Sequence, residues 1–329
     1  MRSSVFFLGS IIGRFKRAYI PYPGGCKIGE RKVNYHMKAF GQMNIECTST
    51  DENISCETNE IRGATICLDC PSVGATENIM LAGVFAKGDT EIINAAREPE
   101  IVDLQNFLNA MGADISGAGT NVIHISCVKK LRDAEYTVIP DRIEAGTYLI
   151  AGAITGGEVN VTRVDPTVLT PLTNLLTETG CDLKISKDSI LISAAKKILA
   201  PQIIFTQPYP NFPTDLQPQM MALLSLAKGR SIIIETIFDK RFNHVAELNL
   251  LGADITFDSQ VALINGVEKL TGTVVTATDL RAGAALILAG LAAKGTTVVK
   301  ESAYVERGYV NIEGKLRALG ADIEFACLK

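Results

Sequence analysis

The residues best suited to chemistry lie in one short loop, Pro23-Gly24-Gly25-Cys26-Lys27-Ile28-Gly29-Glu30-Arg31. Neighbouring cations favour the thiolate of a cysteine over its thiol, and Lys27 and Arg31 flank Cys26 in this way. The glycines on either side let such a loop move and close over a ligand. The bland alternative is a buried thiol without a chemical role, which is the reading for Cys47, Cys56, Cys127, Cys181 and Cys327. A second stretch, Asn211-Phe212-Pro213-Thr214-Asp215, runs from a loop into a helix. Asp215 there either caps the helix or acts as a general base. Tyr304-Val305-Glu306-Arg307-Gly308-Tyr309 has the same loop-to-helix character. Gly117 and Gly119 read as a turn between strands. No glycine-rich phosphate loop occurs, which argues against nucleoside-triphosphate chemistry.

The elements that must position these residues come from a repeat. Met111-Gly112-Ala113-Asp114-Ile115 recurs as Thr179-Gly180-Cys181-Asp182-Leu183, Leu251-Gly252-Ala253-Asp254-Ile255 and Leu319-Gly320-Ala321-Asp322-Ile323, at spacings of 68, 72 and 68 residues. A worn copy, Gln42-Met43-Asn44-Ile45, precedes them by another 68 if Met43 is the anchor. Each unit opens with a helical pattern: Ala75 to Ala86, Ala145 to Thr155, Pro218 to Ala227 and Ala282 to Ala293. Three of these close on Ala-Lys-Gly (86–88, 227–229, 293–295), a helix C-terminal signal. A β-branched run follows in each: 90–93, 158–161, 231–234 and 296–299. A second helix then ends at the repeated glycine, and an Asp-Ile-x-Phe alternation begins another strand. The unit is β-α-β-α-β-β, present about four and three-quarter times. The first residues, Met1 to Phe15, read as a short buried helix rather than a signal peptide. The domain boundary is expected near Pro140, giving domains 1–139 and 140–329.

Aligned on the repeat, the unusual residues share places. The start of the first helix carries Arg2, Ser72, Arg142, Asp215 and Arg281 in successive copies. The loop before the second helix carries Arg97-Glu98, Arg241 and Arg307, and in the first copy Cys26 and Arg31. Helix N-termini present free N–H groups and partial positive charge, which suits phosphate and carboxylate. An anionic ligand between the domains, held by arginines, is the expectation. Taken singly, Ser72 and Asp215 are as readily helix caps, and a lone arginine is more often solvated.

Apolar residues make up 47% of the chain and charged residues 21%, ordinary for a globular protein, and the net charge of −4 offers no basic field for nucleic acid or membrane. Eight cysteines without a framework fit reduced thiols in a cytoplasm. Cys67-x-x-Cys70 has no second pair at zinc spacing, and His36, His124 and His244 are far apart, so no metal is expected.

Over essentially its whole length the chain resembles the UDP-N-acetylglucosamine 1-carboxyvinyltransferase family. The stretches that carry the likeness are Gly24-Gly25-Cys26-x-Ile28-Gly29-x-Arg31, Ser72-Val73-Gly74-Ala75-Thr76, residues 94–103, Pro140-Asp141-Arg142-Ile143-Glu144, Phe212-Pro213-Thr214-Asp215, Arg241-Phe242-x-His244-Val245, Ala277-Thr278-Asp279-Leu280-Arg281 and Glu306-Arg307-Gly308-Tyr309. The resemblance implies a two-domain inside-out α/β barrel with about five of the family's six repeats. It implies enolpyruvate transfer from phosphoenolpyruvate to the 3′-hydroxyl of UDP-N-acetylglucosamine, releasing phosphate, in the first committed step of peptidoglycan synthesis. No cofactor is implied.

By the same resemblance, Cys26 protonates C3 of phosphoenolpyruvate and is the thiol that fosfomycin alkylates. Asp215 is the base for the sugar hydroxyl, and Arg307 joins these two as catalytic. Arg31, Arg281, Arg307 and Arg2 clamp phosphoenolpyruvate. Arg31, Ser72, Val73, Gly74, Asp215 and Arg241 contact the nucleotide sugar. The sibling enzyme acting on shikimate 3-phosphate shares the repeat but lacks the Gly-Gly-Cys loop. Two departures stand out. Cys70 occupies a place where lysine is common, and the chain starts inside the family's second repeat, without its opening Lys-Asn pair. An enzyme missing one wall of its site is therefore one expectation, and a remnant that binds UDP-sugar or a partner without turnover is the other. Self-association through the exposed face of the absent repeat is expected in either case.

Overall fold

The computed structural model describes residues 2–24, 28 and 33–326, without the side chains of Arg2 and Ser3. These residues form two compact units, one of 2–24 and 33–139, the other of Ile28 and 140–326.

The first unit opens with a 3-10 turn, Arg2–Phe6, and α1 (Phe7–Phe15), followed by β1 (Arg17–Pro21), α2 (Asn34–Gln42), β2 (Glu46–Ser49) and β3 (Asn53–Glu57). The strands pair antiparallel in the order β1-β3-β2. Next come β4 (Thr65–Cys67), α3 (Val73–Gly83), β5 (Thr90–Ile93), α4 (Pro99–Ala110), β6 (Asp114–Ser116) and β7 (Val122–Ser126). Their sheet order is β4-β5-β7-β6, with β4 parallel to β5 and the rest antiparallel. The β-α-β-α-β-β expectation is met here in full.

The helices are the core of this unit. Ala75, Ile79, Met80 and Ala82 of α3 have no exposure, and Leu8 and Ile12 of α1 pack with them. Glycines make that approach close. A Cβ on Gly9 would lie 2.4 Å from the Asn78 carbonyl oxygen, and one on Gly13 would lie 2.4 Å from the Phe85 ring. Asn78 fastens the contact: its Oδ1 accepts from Gly9 N at 2.6 Å and its Nδ2 donates to Val5 O at 2.9 Å.

The second unit repeats the pattern. α5 (Arg142–Ile154), β8 (Glu158–Thr162), α6 (Thr170–Glu178), β9 (Asp182–Ile185) and β10 (Ser189–Ser193) come first, with sheet order β8-β10-β9. Then come β11 (Ile203–Thr206), α7 (Gln217–Leu224), β12 (Arg230–Glu235), α8 (Val245–Leu250), β13 (Asp254–Asp258) and β14 (Val261–Asn265), ordered β11-β12-β14-β13. Last are β15 (Val274–Thr276), α9 (Leu280–Ala292), β16 (Val298–Lys300), α10 (Ala303–Glu306) and α11 (Ile312–Ala318), with β15 and β16 parallel. α5, α7 and α9 are buried nearly all round and the sheets face out, the inside-out arrangement expected. An open groove of about 1250 Å³ runs along this unit, walled by residues such as Val159, Ile287, Leu291, Leu316 and Ile323.

The recurring glycine phrase is a helix C-terminus. Gly112, Gly180, Gly252 and Gly320 adopt φ of +96°, +93°, +94° and +98°. The next residue's N–H reaches back to close the helix, as in Ala113 to Leu108 O (3.0 Å), Cys181 to Leu176 O (3.1 Å), Ala253 to Leu248 O (3.2 Å) and Ala321 to Leu316 O (3.0 Å). These are Schellman closures, which need a left-handed residue. In the worn copy Asn44 takes that role at φ +62°, with Ile45 N bonded to Phe40 O at 3.0 Å.

Four expectations are corrected. Ala-Lys-Gly does not end the helices, which stop at Gly83, Leu224 and Ala292. Instead Lys87, Lys228 and Lys294 form isolated parallel bridges to Arg62, Leu199 and Thr271 just ahead of the unit's first strand. Their N–H groups donate to Ile61, Ile198 and Leu270 carbonyls at 2.8, 2.7 and 2.9 Å. Asp322-Ile323-Glu324-Phe325 is not a strand. β6 and β13 each pair with a strand that follows them, and among the described residues nothing follows here to pair with. Finally, Cys47 and Cys56 are not free thiols. They face each other across β2 and β3 with Cα atoms 4.2 Å apart and are joined as a disulfide. Strand register placed them opposite each other, which spacing along the chain did not reveal. Cys127 is exposed rather than buried, and Cys181 is buried and free as expected.

Candidate active site

The second unit gathers four charged side chains at the starts of two of its core helices. Asp215 lies in a 3-10 turn, Thr214–Leu216, that runs into α7. Asp279 is the N-cap of α9, its Oδ1 accepting from Arg281 N (2.9 Å) and Ala282 N (3.1 Å). The cap holds Arg281 at the second position of α9. From there its Nε and Nη2 both reach Asp215 Oδ2, at 3.2 and 3.0 Å. Arg241, only 1% exposed, lies against both acids, with Nη2 3.5 Å from Asp215 Oδ1 and Nη1 3.6 Å from Asp279 Oδ1. Its Nε and Nη2 also donate to Thr214 O, at 3.3 and 3.0 Å. A guanidinium fork suits such divided work, since its donors point in fixed directions.

A further layer holds this set still. Glu235, fully buried, accepts from Thr214 Oγ1 at 3.0 Å and from the Ile237 and Phe238 N–H groups at 2.9 and 3.1 Å. His244, also fully buried, donates from Nδ1 to the Arg241 carbonyl at 3.1 Å, a tautomer assigned from that bond. Burial first, and the Arg241 charge second, push its pKa down to about 4 from an ordinary 6.5. For Arg281 burial opposes the charge, but Asp215 and Tyr309 outweigh it and hold the pKa above the usual value.

The two arginines balance the two aspartates. Even so, Arg281 Nη1 is buried and finds no acceptor among the described residues, and Asp279 Oδ2 likewise finds no donor. A buried N–H without an acceptor costs about 1–3 kcal/mol, and an anion brought to Arg281 would satisfy it.

Asp215 therefore does not cap α7. Its carboxylate is engaged with the arginines, and α7 has no side-chain cap. Ser72 does act as a cap, its Oγ accepting from Ala75 N at 3.4 Å, with Val73 and Gly74 in the first turn of α3 of the first unit. Gly74 packs so closely that a Cβ would sit 3.0 Å from Phe6 and 3.1 Å from His36. Nearby, burial and then the charges of Glu100 and Glu98 raise Glu77 to about 7. Arg307 is exposed in the turn after α10. Arg142 heads α5 with its guanidinium 5.7 Å from the Tyr209 ring centre. Cys26 and Arg31 lie outside the described residues, as does the side chain of Arg2.

So the structure brings Asp215, Arg241 and Arg281 together, while Arg307 makes no ion pair among the described residues. Sequence reasoning passed over Asp279, Glu235, His244 and Tyr309 as members of this set. The first carries a local signal: an aspartate immediately before the first apolar residue of a helical run is an N-cap signal. The others are reached only through tertiary packing.

A family model described as EPSP synthase (3-phosphoshikimate 1-carboxyvinyltransferase) matches residues 1–316. A protein of Caldanaerobacter subterraneus subsp. tengcongensis named UDP-N-acetylglucosamine 1-carboxyvinyltransferase 2 is 54% identical, over 98% of this chain and 78% of its own length. Its namesake from Bacillus subtilis is 48% identical, over 98% and 75%. Among solved structures, the enolpyruvyl transferase NikO of Streptomyces tendae superposes with a TM-score of 0.88 at 26% identity, covering 98% of this chain and 77% of that one. An EPSP synthase of Acinetobacter baumannii shares the fold at a TM-score of 0.74 and 21% identity, covering 99% and 79%.

Proposed function

The chain belongs to the EPSP synthase (3-phosphoshikimate 1-carboxyvinyltransferase) family, and from that membership and its relatives we infer that it is a UDP-N-acetylglucosamine 1-carboxyvinyltransferase. It moves the enolpyruvyl group of phosphoenolpyruvate to the 3′-hydroxyl of UDP-N-acetylglucosamine and releases phosphate, in the cytoplasm, at the entry to peptidoglycan synthesis. The preference for this acceptor over shikimate 3-phosphate is supported by identities near 50% to proteins of that name. EPSP synthase structures share about a fifth of their residues.

The observation that carries the site assignment is one carboxylate, Asp215, held by two arginines of which one keeps a spare buried N–H. On this reading Arg281 offers that N–H to the carboxylate or phosphate of phosphoenolpyruvate, with Arg2, Arg31 and Arg307 completing the clamp. Asp215 takes the proton of the 3′-hydroxyl as its oxygen bonds to C2. Cys26 supplies the proton that C3 gains. Positive charge developing at C2 is stabilised by groups already in place, so little reorganisation is needed. Elimination then reverses the protonation: C3 loses a proton, the C2–O–phosphate bond breaks, and phosphate departs with the electron pair. Ser72, Val73, Gly74 and Arg241 hold the nucleotide sugar.

The test is phosphate release from phosphoenolpyruvate with each acceptor. UDP-N-acetylglucosamine should support turnover and shikimate 3-phosphate should not; the reverse order would sink the reading. Labelling of Cys26 by fosfomycin, faster with UDP-N-acetylglucosamine present, checks the loop separately.

A further inference from the structure

Beside the charged set stands a side chain that the mechanism above does not use. Tyr309 follows α10 and is completely buried. Its ring centre lies 5.4 Å from the Arg281 guanidinium carbon, so the ring forms one wall of the arginine's pocket. Its hydroxyl lies 2.9 Å from Thr147 Oγ1 and 3.0 Å from Gln219 Nε2, and Gln219 Nε2 is also 3.1 Å from Thr147 Oγ1. Thr147 is on α5, Gln219 on α7 and Arg281 on α9. One phenol thus ties together the three central helices of the unit.

The protons in this triangle can be counted. The Thr147 hydroxyl donates to Ile143 O at 2.8 Å, so its oxygen is free to accept. Gln219 Nε2 donates toward both Thr147 Oγ1 and the Tyr309 oxygen, an amide orientation assigned from those two contacts. The Tyr309 proton then has Thr147 Oγ1 as its acceptor. With the Thr147 proton on the Ile143 carbonyl and the Tyr309 proton on Thr147 Oγ1, Tyr309 has no proton to offer a substrate. A catalytic acid is the wrong role for it.

We propose that Tyr309 is a positioning residue for Arg281: its ring fixes the plane of the guanidinium, and its hydroxyl, locked by Thr147 and Gln219, fixes the plane of the ring. Asp215 grips the Nε–Nη2 edge of Arg281, and the guanidinium carbon lies over the Tyr309 ring. The remaining donor, Nη1, is held ready for an anionic group in one orientation rather than several. Bonds that must be aligned before the substrate arrives gain most from such restraint, because alignment is then not lost from the binding energy. The role rests on the enolpyruvyl-transfer reading, with Arg281 binding phosphoenolpyruvate.

Two variants separate its parts. Tyr309→Phe keeps the ring and releases it from the triangle. Tyr309→Leu removes the wall as well. The expected order in kcat/KM for phosphoenolpyruvate is wild type, then Phe lower by about 3–10-fold, then Leu lower by about 10–100-fold, the scale of a misplaced positioning group. KM for UDP-N-acetylglucosamine should stay within about twofold throughout. A purely structural tyrosine would lower thermal stability while leaving both Michaelis constants alone, and that result overturns the proposal. A second readout is independent of turnover. The Arg281 side-chain Nε–H signal in ¹⁵N-resolved spectra should be sharp and slowly exchanging in the wild type and broadened or lost in Tyr309→Leu. If the wild type turns over neither acceptor, the functional reading fails, and this signal still decides the positioning role: an Nε–H unchanged in Tyr309→Leu refutes it.

Discussion

Both the Nε and the Nη2 of Arg281 converge on a single oxygen of Asp215, Oδ2, leaving Oδ1 to Arg241. One carboxylate thereby neutralises part of two guanidinium groups that α9 and the segment before α8 bring in from different repeats. Asp215→Asn keeps the shape and an acceptor oxygen but neither charge nor basicity. Turnover should fall by about 10²–10⁴-fold, the usual worth of a general base. Because Asp215 is 38% exposed, solvent screens its pairs, and the loss of stability should be modest, about 1–2 kcal/mol. Chemical denaturation beside the phosphate-release assay checks both numbers.

His244 and Glu77 should give opposite slopes of stability against pH. His244 is held near 4, below its ordinary 6.5, so between those values the unfolded chain binds the extra proton and stability falls as pH falls. Glu77 is held near 7, above its ordinary 4.5, so the folded state binds the extra proton and stability falls as pH rises through that window. Each group contributes at most about 1.4 kcal/mol per pH unit. His244→Gln should flatten the acid-side loss. Glu77→Gln should gain stability relative to wild type above pH 7 and match it below pH 4.5. Denaturant midpoints from pH 4 to 8 read both; a Glu77→Gln difference that does not depend on pH would rule out the second.

The left-handed helix ends allow a cleaner substitution. Nothing lies within 4 Å of a Cβ built on Gly252, so a side chain there meets no steric obstacle and the cost is set by its φ of +94°. Gly252→Ala should cost about 1–2 kcal/mol. Gly252→Asn should cost less, because Asn tolerates this region and Asn44 already occupies it in the first copy. Equal losses for the two variants would mean that packing, not backbone conformation, governs the site.

Asn78 bridges two segments of the first unit, accepting from Gly9 and donating to Val5 and to His36 Nδ1, the last at 2.9 Å. Asn78→Ala leaves the Gly9 N–H and the Val5 carbonyl buried without it, at about 1–3 kcal/mol each. Hydrogen exchange should accelerate first across α1, before α3 or the β4–β7 sheet. Uniform acceleration over the whole unit would show that α1 docks by apolar packing alone.

The architecture was largely readable from residues 111–115 and their copies, because a left-handed glycine at a helix end is a local demand that leaves a mark in the sequence. The β-α-β-α-β-β order followed, and so did the strands at 90–93 and 231–234. What could not be read depends on register and tertiary approach. Cys47 meets Cys56 only once β2 pairs with β3. Asp322-Ile323-Glu324-Phe325 carries a strand pattern, yet a strand needs a ladder partner. At the site, Asp215, Arg241 and Arg281 were marked by their places in the repeat. Tyr309, Glu235 and His244 act through buried contacts to residues 21 to 162 positions away in sequence or through main-chain groups nearby, and no local pattern announces that.

The bridges at Lys87, Lys228 and Lys294 carry a lesson for anyone who would rebuild this chain. In each, the lysine's main chain both gives and receives: Lys87 donates to Ile61 and accepts from Gly63, Lys228 donates to Ile198 and accepts from Ala200, and Lys294 donates to Leu270 and accepts from Gly272. The crossovers they close differ in length, yet the fastening is the same and uses no side chain. A buckle of that kind is indifferent to the side chain at its own hole: what the helices must be is set by their buried faces, and the lysines could be replaced with the strap still fastened.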